Sequence, residues 1–91
     1  MSFVALDLGT SFIKGAVLDL DALRLCNIQR IPFPDALPNQ SSSLCEIDPR
    51  AVVAATQEII NRLLPHAPDC KGLVMCGQMQ GLVLANERGE F

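Results

Sequence analysis

The residues best suited to chemistry lie near the start of the chain, where Asp7 precedes a Gly9-Thr10-Ser11 turn and Lys14 follows it. Gly9 has no side chain, so a phosphate group can approach its backbone closely. The N–H groups and hydroxyls of Thr10 and Ser11 can donate to phosphate oxygens, and Lys14 adds a positive point charge. This combination of residue types predicts a phosphate-binding turn between two strands.

Asp7 lies inside an otherwise apolar run, Val4–Leu8, where an unpaired carboxylate would be costly to remove from water. We therefore expect Asp7 at the end of the strand, where it faces water, hydrogen-bond donors or a cation. We predict that this cation is a divalent metal. The alternative is an ordinary β-hairpin, in which the Gly-Thr-Ser segment is only a turn and Asp7 caps its own backbone.

A second polar segment, Gly77-Gln78-Met79-Gln80-Gly81, separates two apolar runs later in the chain. Its glycines give close access to the backbone, its amides can bind hydroxyl groups, and its thioether offers a soft apolar contact. Such a set suits the hydroxyls and the carbon face of a sugar. The alternative is a polar bend whose Met79 side chain packs into the core.

The composition of the chain excludes several functions. With 91 residues, 49% of them hydrophobic, the chain can form one small domain but not two. Its net charge is −3, its basic residues are scattered and its four phenylalanines form no stacking platform, so we expect no nucleic-acid binding. No apolar run approaches the roughly 20 residues of a membrane span. Since no basic leader begins the chain either, we expect a cytoplasmic protein without membrane association.

Cysteine and histidine give no sign of a metal site or a disulfide. The four cysteines are irregularly spaced and match no zinc or disulfide pattern, so we interpret them as reduced thiols. His66 is the only histidine, and it lies between Pro65 and Ala67. We expect it to be a solvated loop residue rather than a catalytic base.

Apolar runs and turn residues predict the elements that position these groups. They indicate three antiparallel strands, a long loop, one helix, two further strands and a final turn. The predicted ranges are 3–8, 12–19 and about 23–31 for the first strands, 32–43 for the loop, 48–64 for the helix, 72–76 and 81–85 for the last strands, and 86–89 for the turn.

The predicted helix has a start signal and a stop signal. Asp48 can accept hydrogen bonds from free N–H groups at the cap, and Pro49 lacks a donor that would have no partner there. Pro65 ends the helix. The helix needs a sheet to cover its apolar side, which comprises Val52, Val53, Ile59, Ile60, Leu63 and Leu64.

This order of elements resembles the opening of a ribonuclease-H-like, actin-like ATPase domain. In that α/β fold three antiparallel strands come first, and a crossover helix returns the chain to a parallel neighbour of the first strand. Such domains continue with further helices and strands, whereas this chain ends at Glu90-Phe91. We therefore expect residues 1–91 to be a fragment with an exposed edge strand, through which the fragment self-associates.

Three segments together resemble the N-terminal part of the FGGY carbohydrate kinases, and xylulokinase-like members in particular. Asp7-Leu8-Gly9-Thr10-Ser11-Phe12-Ile13-Lys14 resembles the first phosphate motif of the family. Glu46-Ile47-Asp48-Pro49 resembles its Glu-x-Asp-Pro helix start, and Gly77-Gln78-Met79-Gln80-Gly81 resembles its sugar-proximal turn. The order and spacing of the three motifs match over nearly the whole chain.

The resemblance implies ATP-dependent phosphorylation of a sugar or polyol hydroxyl by a two-domain kinase. Residues 1–91 would begin its first, sugar-binding domain, and Asp7 would hold the magnesium ion of ATP through water. The residues around the transferred phosphoryl group would be Gly9, Thr10, Ser11 and Lys14. The residues that bind the substrate would be Gln78, Met79 and Gln80. Because the family's general base is an aspartate later in the same domain, the fragment alone is expected to be inactive.

Met79 and Gln80 indicate the class of substrate within the family. Glycerol-phosphorylating members tend to carry Arg-Glu at these two positions, and xylulokinase-like members carry Met-His. Met79 therefore favours a ketose or a related polyol. Gln80 matches neither group and cannot become cationic near neutral pH.

Two other functions fit parts of the sequence. A non-sugar actin-like ATPase also uses an Asp-x-Gly-Thr hairpin, although the Gln-Met-Gln turn and the Asp-Pro helix start argue against it. A small non-catalytic binding module would use an exposed sheet to recruit a protein partner. Sugar-dependent consumption of ATP would distinguish a kinase from both.

Overall fold

The computed structural model describes residues 1–38, 46–78 and 83–90. These residues form four strands, one α-helix and one turn of 3₁₀ helix. The elements are β1 Ser2–Leu8, β2 Phe12–Asp19, β3 Arg24–Pro32, α1 Pro49–Leu63, the 3₁₀ turn Leu64–His66, and β4 Cys70–Cys76.

The described strands form one sheet in the order β3-β2-β1-β4. β2 pairs antiparallel with both β1 and β3, and β4 pairs parallel with β1. These pairings confirm the predicted α/β fold, in which a crossover helix returns the chain to the side of the first strand. Because β1 and β4 are parallel and adjacent, their carboxyl-terminal ends lie side by side at the same end of the sheet. Both polar segments begin there.

Helix α1 begins and ends close to where the sequence predicts. Asp48 Oδ1 accepts a hydrogen bond from the backbone N–H of Arg50 at 2.9 Å and another from its Nε at 3.2 Å. These hydrogen bonds, the backbone one first, hold the pKa of the Asp48 carboxyl below its ordinary value. His66 ends the 3₁₀ turn and is exposed, as expected of a solvated residue. No helix in the described ranges is long and apolar enough to cross a membrane.

The core lies between α1 and one face of the sheet. Its largest buried side chains come from both layers and are Val4, Ile13, Ile59 and Leu63. Gly15 on β2 lies beneath the helix, where an added Cβ would be only 2.5 Å from Ile59 Cγ2. The missing side chain thus allows α1 to pack directly on β2.

Part of the predicted apolar helix side is exposed. Val53 and Leu64 are 65% and 46% exposed, although the sequence predicts them beside the buried face. The reason is that α1 packs on β2 and β3, so its other sides have no layer to cover them in the described chain.

The last predicted strand, residues 81–85, is not found in the described residues. Residues 81 and 82 lie outside the described ranges, and residues 83–85 belong to no strand. Val83 and Leu84 are 60% and 82% exposed. An apolar run becomes a strand only where a neighbouring backbone pairs with it, and the described sheet offers residues 83–85 no such pairing. The predicted turn follows, with the Gly89 N–H donating to the Asn86 carbonyl at 2.9 Å.

Candidate functional site

An open cavity of about 260 Å³ lies at the turn between β1 and β2. All of its lining residues belong to this hairpin, and they are Asp7, Gly9, Thr10, Ser11, Phe12 and Lys14. Phe12 is the only one that the sequence analysis did not propose as a site residue. The fold therefore brings a carboxylate, two hydroxyls and an ammonium group to the wall of one cavity.

The turn beside the cavity is closed by a hydrogen bond from the Gly9 N–H to the Phe12 carbonyl at 3.0 Å. A Cβ added at Gly9 would lie 3.0 Å from the same carbonyl oxygen, a very close contact. A side chain here would require the Phe12 carbonyl to shift by a few tenths of an ångström, so glycine favours closure of the turn. Thr10 and Ser11 at the tip of the turn are exposed, so a ligand can reach their hydroxyls.

Asp7 and Lys14 are paired directly across the β1–β2 ladder. Their neighbours Leu6 and Ile13 are buried in the core with α1, so the alternation of a strand puts Asp7 and Lys14 on the opposite face. Both side chains are exposed, and neither forms an ion pair with another described residue. Both charges are therefore accessible to a ligand in the cavity.

Cys76 is a neighbour of Asp7 that the sequence analysis missed. Its Sγ donates to Asp7 Oδ1 at 3.5 Å, and the two residues are paired across the parallel β1–β4 ladder. This hydrogen bond raises the pKa of the Cys76 thiol, with smaller contributions from desolvation and from the charge of Asp7. Among the described residues, Cys26, Cys70 and Cys76 are free thiols, as predicted.

Gln78 connects the second polar segment to the first. Its Nε2 donates to the Gly9 carbonyl at 3.1 Å, although the two residues are 69 positions apart in sequence. Gly9 directly follows β1 and Gln78 closely follows β4, so the parallel pairing of these strands brings the two residues together. Met79 and Gln80, the other predicted substrate-binding residues, lie outside the described residues.

Arg30 on β3 adds a second positive charge beside the cavity. It is paired with Lys14 across the β2–β3 ladder, and its guanidinium carbon lies 4.7 Å from the centroid of the Phe12 ring. This cation–π contact holds the guanidinium group over a residue that lines the cavity. The place of Arg30 could not be predicted from the sequence, because only the strand register determines which β3 side chain lies opposite Lys14.

The cavity fits a magnesium ion that a nucleotide carries with it. Mg²⁺ prefers oxygen ligands and is usually held by one or two carboxylates together with waters and phosphate oxygens. Asp7 offers one exposed carboxylate in the cavity wall. Within the part of the chain that is described, no group of three or more His, Cys, Asp or Glu side chains could hold a metal ion. A metal ion here would therefore need ligands from the nucleotide and from water.

Solved structures of two kinases share this fold. A ligand-bound xylulose kinase from Lactobacillus acidophilus matches 98% of this chain with a TM-score of 0.83 and 22% sequence identity, over 18% of its own length. A xyloylose kinase from Brucella ovis matches 99% of this chain with a TM-score of 0.79 and 23% identity, over 19% of its own length. No protein-family model matches the chain. No curated protein sequence matches it either.

The similarity to these kinases is one of fold, because the sequence identities are only 22% and 23%. It extends over nearly all of this chain but less than a fifth of either kinase. The chain therefore shares the α/β fold of a segment of these kinases, which is the partial ribonuclease-H-like, actin-like fold that the order of its elements predicts.

Proposed function

We propose that this chain is the first part of the sugar-binding, ATPase-type domain of a two-domain, ATP-dependent sugar kinase. The observation that carries the proposal is the cavity at the β1–β2 turn, on a fold shared with a xylulose kinase. Phosphate binding needs hydrogen-bond donors and positive charge, magnesium needs a carboxylate, and the cavity wall offers all three. We also propose that the kinase is cytoplasmic and binds neither nucleic acid nor membranes, as its composition indicates.

Each cavity residue has a role in the proposed transfer of a phosphoryl group from ATP. Thr10 and Ser11 donate hydrogen bonds to the terminal phosphate, and Gly9 leaves space for it. Lys14 balances the negative charge on the phosphoryl oxygens during in-line transfer. Asp7 would hold the magnesium ion of the nucleotide through water, and the ion would supply further charge neutralisation. Catalysis by these residues therefore consists of positioning and electrostatic stabilisation.

The acceptor that we propose is a ketose or a related polyol. Met79, which this chain shares with xylulokinase-like sequences, supports the proposal, and so does the fold shared with a xylulose kinase. Met79 and Gln80 would contact the sugar. The general base would come from an aspartate beyond Phe91, so we expect no sugar phosphorylation by residues 1–91 alone.

Sugar-dependent consumption of ATP by the complete polypeptide tests this proposal. ADP release would be measured in the presence of magnesium with xylulose, with glycerol and with no acceptor. We expect xylulose to stimulate turnover to roughly 1 to 100 per second, with one sugar phosphate formed for each ADP. ATP consumption that no sugar stimulates would instead support a non-sugar ATPase. No consumption at all would favour a binding module, and either result would overturn the kinase proposal.

A further inference from the structure

The hydrogen bond from Gln78 joins the two polar segments at the carboxyl ends of β1 and β4. Its acceptor, the Gly9 carbonyl, belongs to the same peptide unit as the Thr10 N–H. In a planar trans peptide the C=O and N–H groups point in opposite directions, so a contact that fixes one also fixes the other. Gln78 therefore sets the direction of an N–H donor that belongs to the proposed phosphate site.

The Gly9–Thr10 peptide is a part of the turn that needs such a contact. Glycine adopts positive and negative φ at similar cost, so a peptide unit beside glycine can rotate more easily than others. Rotation of this peptide would exchange an N–H donor for a carbonyl oxygen, which repels the oxygens of a phosphate group. The Gln78 amide stabilises the orientation in which the carbonyl is bound on the β4 side.

Cys76 supplies a second contact from the same strand end. Its thiol donates to Asp7 at 3.5 Å, two positions before Gly9. The lining of the cavity comes from the β1–β2 hairpin, and neither Cys76 nor Gln78 is part of it. The end of β4 thus holds the cavity residues in place from outside the cavity.

We propose that Gln78 is a positioning residue, whose side-chain amide fixes the Gly9–Thr10 peptide for phosphate binding. This inference rests on the proposed function, because it assigns the β1–β2 turn to the terminal phosphate of ATP. The role differs from the direct sugar contact that the family resemblance implies for Gln78.

Substitution of Gln78 in the complete polypeptide tests the inference. Gln78→Met removes the amide and keeps the length of the side chain. Gln57→Met is the matched control, because Gln57 donates to Asn61 at 3.0 Å on the exposed side of α1. Calorimetry would measure the Kd of MgATP in the absence of sugar. We expect Gln78→Met to raise this Kd about threefold to tenfold, the effect of one lost hydrogen bond, and Gln57→Met to leave it unchanged.

Hydrogen exchange of the unliganded proteins gives a readout that does not depend on nucleotide binding. The Gly9 N–H closes the turn by donating to Phe12, so its exchange rate reports how often the turn opens. We expect faster exchange at Gly9 in Gln78→Met than in the wild type, and no change in Gln57→Met.

The outcomes distinguish a positioning role for Gln78 from direct contact with the sugar. A raised KM for sugar with an unchanged sugar-free Kd of MgATP and unchanged exchange at Gly9 would overturn the positioning role and assign Gln78 to the sugar. An unchanged Kd, KM and exchange rate would overturn both roles. A wild-type protein that binds no MgATP would overturn the proposed function, and the exchange at Gly9 would still decide whether Gln78 holds the turn.

Discussion

Asp7 and Lys14 face each other across two strands without forming an ion pair in the described chain. Exposed ion pairs contribute little to stability, so the fold loses little by leaving these charges apart. The arrangement instead leaves one exposed carboxylate and one exposed ammonium group in the wall of the same cavity. We therefore propose that Lys14 has a role in function rather than in folding.

The substitution Lys14→Met tests that assignment. We expect it to lower kcat/KM for ATP about 100-fold to 1,000-fold in the complete polypeptide, because it removes a group that stabilises charge in the transition state. Steady-state kinetics would measure the loss, and the melting temperature should stay unchanged. Lys71→Met is the control. Lys71 forms an ion pair with Asp69, with 2.8 Å between Nζ and Oδ1, and it does not line the cavity. Wild-type kinetics in the Lys14 variant would remove this residue from the mechanism.

Among the elements, the contact between α1 and β2 depends on Gly15. A Cβ at Gly15 would lie 2.5 Å from Ile59 Cγ2 and 2.9 Å from Leu63 Cδ1, and both helix residues are fully buried. Either these buried side chains or the helix itself would have to shift to make room. The position of α1 therefore depends on the absence of a side chain on β2.

We expect Gly15→Ala to lower the free energy of unfolding by about 1 to 3 kcal/mol, the usual cost of overpacking a core. Urea denaturation would measure the change. In Gly72→Ala the added Cβ would meet the Phe3 ring at 3.9 Å, an ordinary contact. This control should stay within about 0.5 kcal/mol of the wild type. Equal stability of the two variants would contradict the tight packing of α1 on β2.

The cap of α1 predicts a dependence of stability on pH. The hydrogen bonds from Arg50 hold the pKa of Asp48 in the folded chain below its ordinary value. A lowered folded-state pKa stabilises the fold above the unfolded pKa, and this contribution is lost as the pH falls through the folded pKa. In Asp48→Asn the residue still caps the helix but does not titrate. We therefore expect the stability of the wild type to fall relative to Asp48→Asn below about pH 4. Parallel pH profiles in urea denaturation would disprove this.

In the whole molecule, β4 forms one edge of the described sheet and its apolar residues are only partly covered. Leu73, Val74 and Met75 are 50%, 44% and 57% exposed. An exposed apolar edge strand can pair with another copy of itself. The self-association that the sequence predicts therefore has a specific candidate surface.

We expect the 91-residue chain to form dimers or larger species in sedimentation experiments at high concentration. Met75→Lys should reduce this association, because a charge on an edge strand opposes pairing between copies. Val53→Lys is a suitable control, since Val53 is 65% exposed on the helix rather than on the edge strand. A wild-type chain that stays monomeric would rule out this association.

Local signals explain what the sequence predicts well. Asp48 and Pro65 act on the backbone beside them, so the helix ends could be predicted from single residues. The residues that line the cavity are close together in one hairpin, so their proximity did not depend on the rest of the fold.

Contacts between distant strands could not be predicted in the same way. The contacts of Cys76 with Asp7, of Gln78 with Gly9 and of Arg30 with Phe12 depend on strand register. Register is a property of a pair of strands, and the apolar pattern of one strand does not specify it. The apolar run before Asn86 predicts a strand because its pattern does not show whether a partner strand is present. Residues 83–85 have no pairing partner in the described sheet.

A crystal structure of the complete polypeptide with magnesium and a non-hydrolysable ATP analogue would test most directly whether the β1–β2 turn holds the terminal phosphate. We expect a phosphate oxygen at about 2.7 to 3.2 Å from the backbone nitrogen of Thr10 or Ser11, a normal hydrogen-bond distance. Asp7 should contact the magnesium ion through water. A terminal phosphate bound away from this turn, with Asp7 remote from the metal, would contradict the proposed site and with it the kinase mechanism.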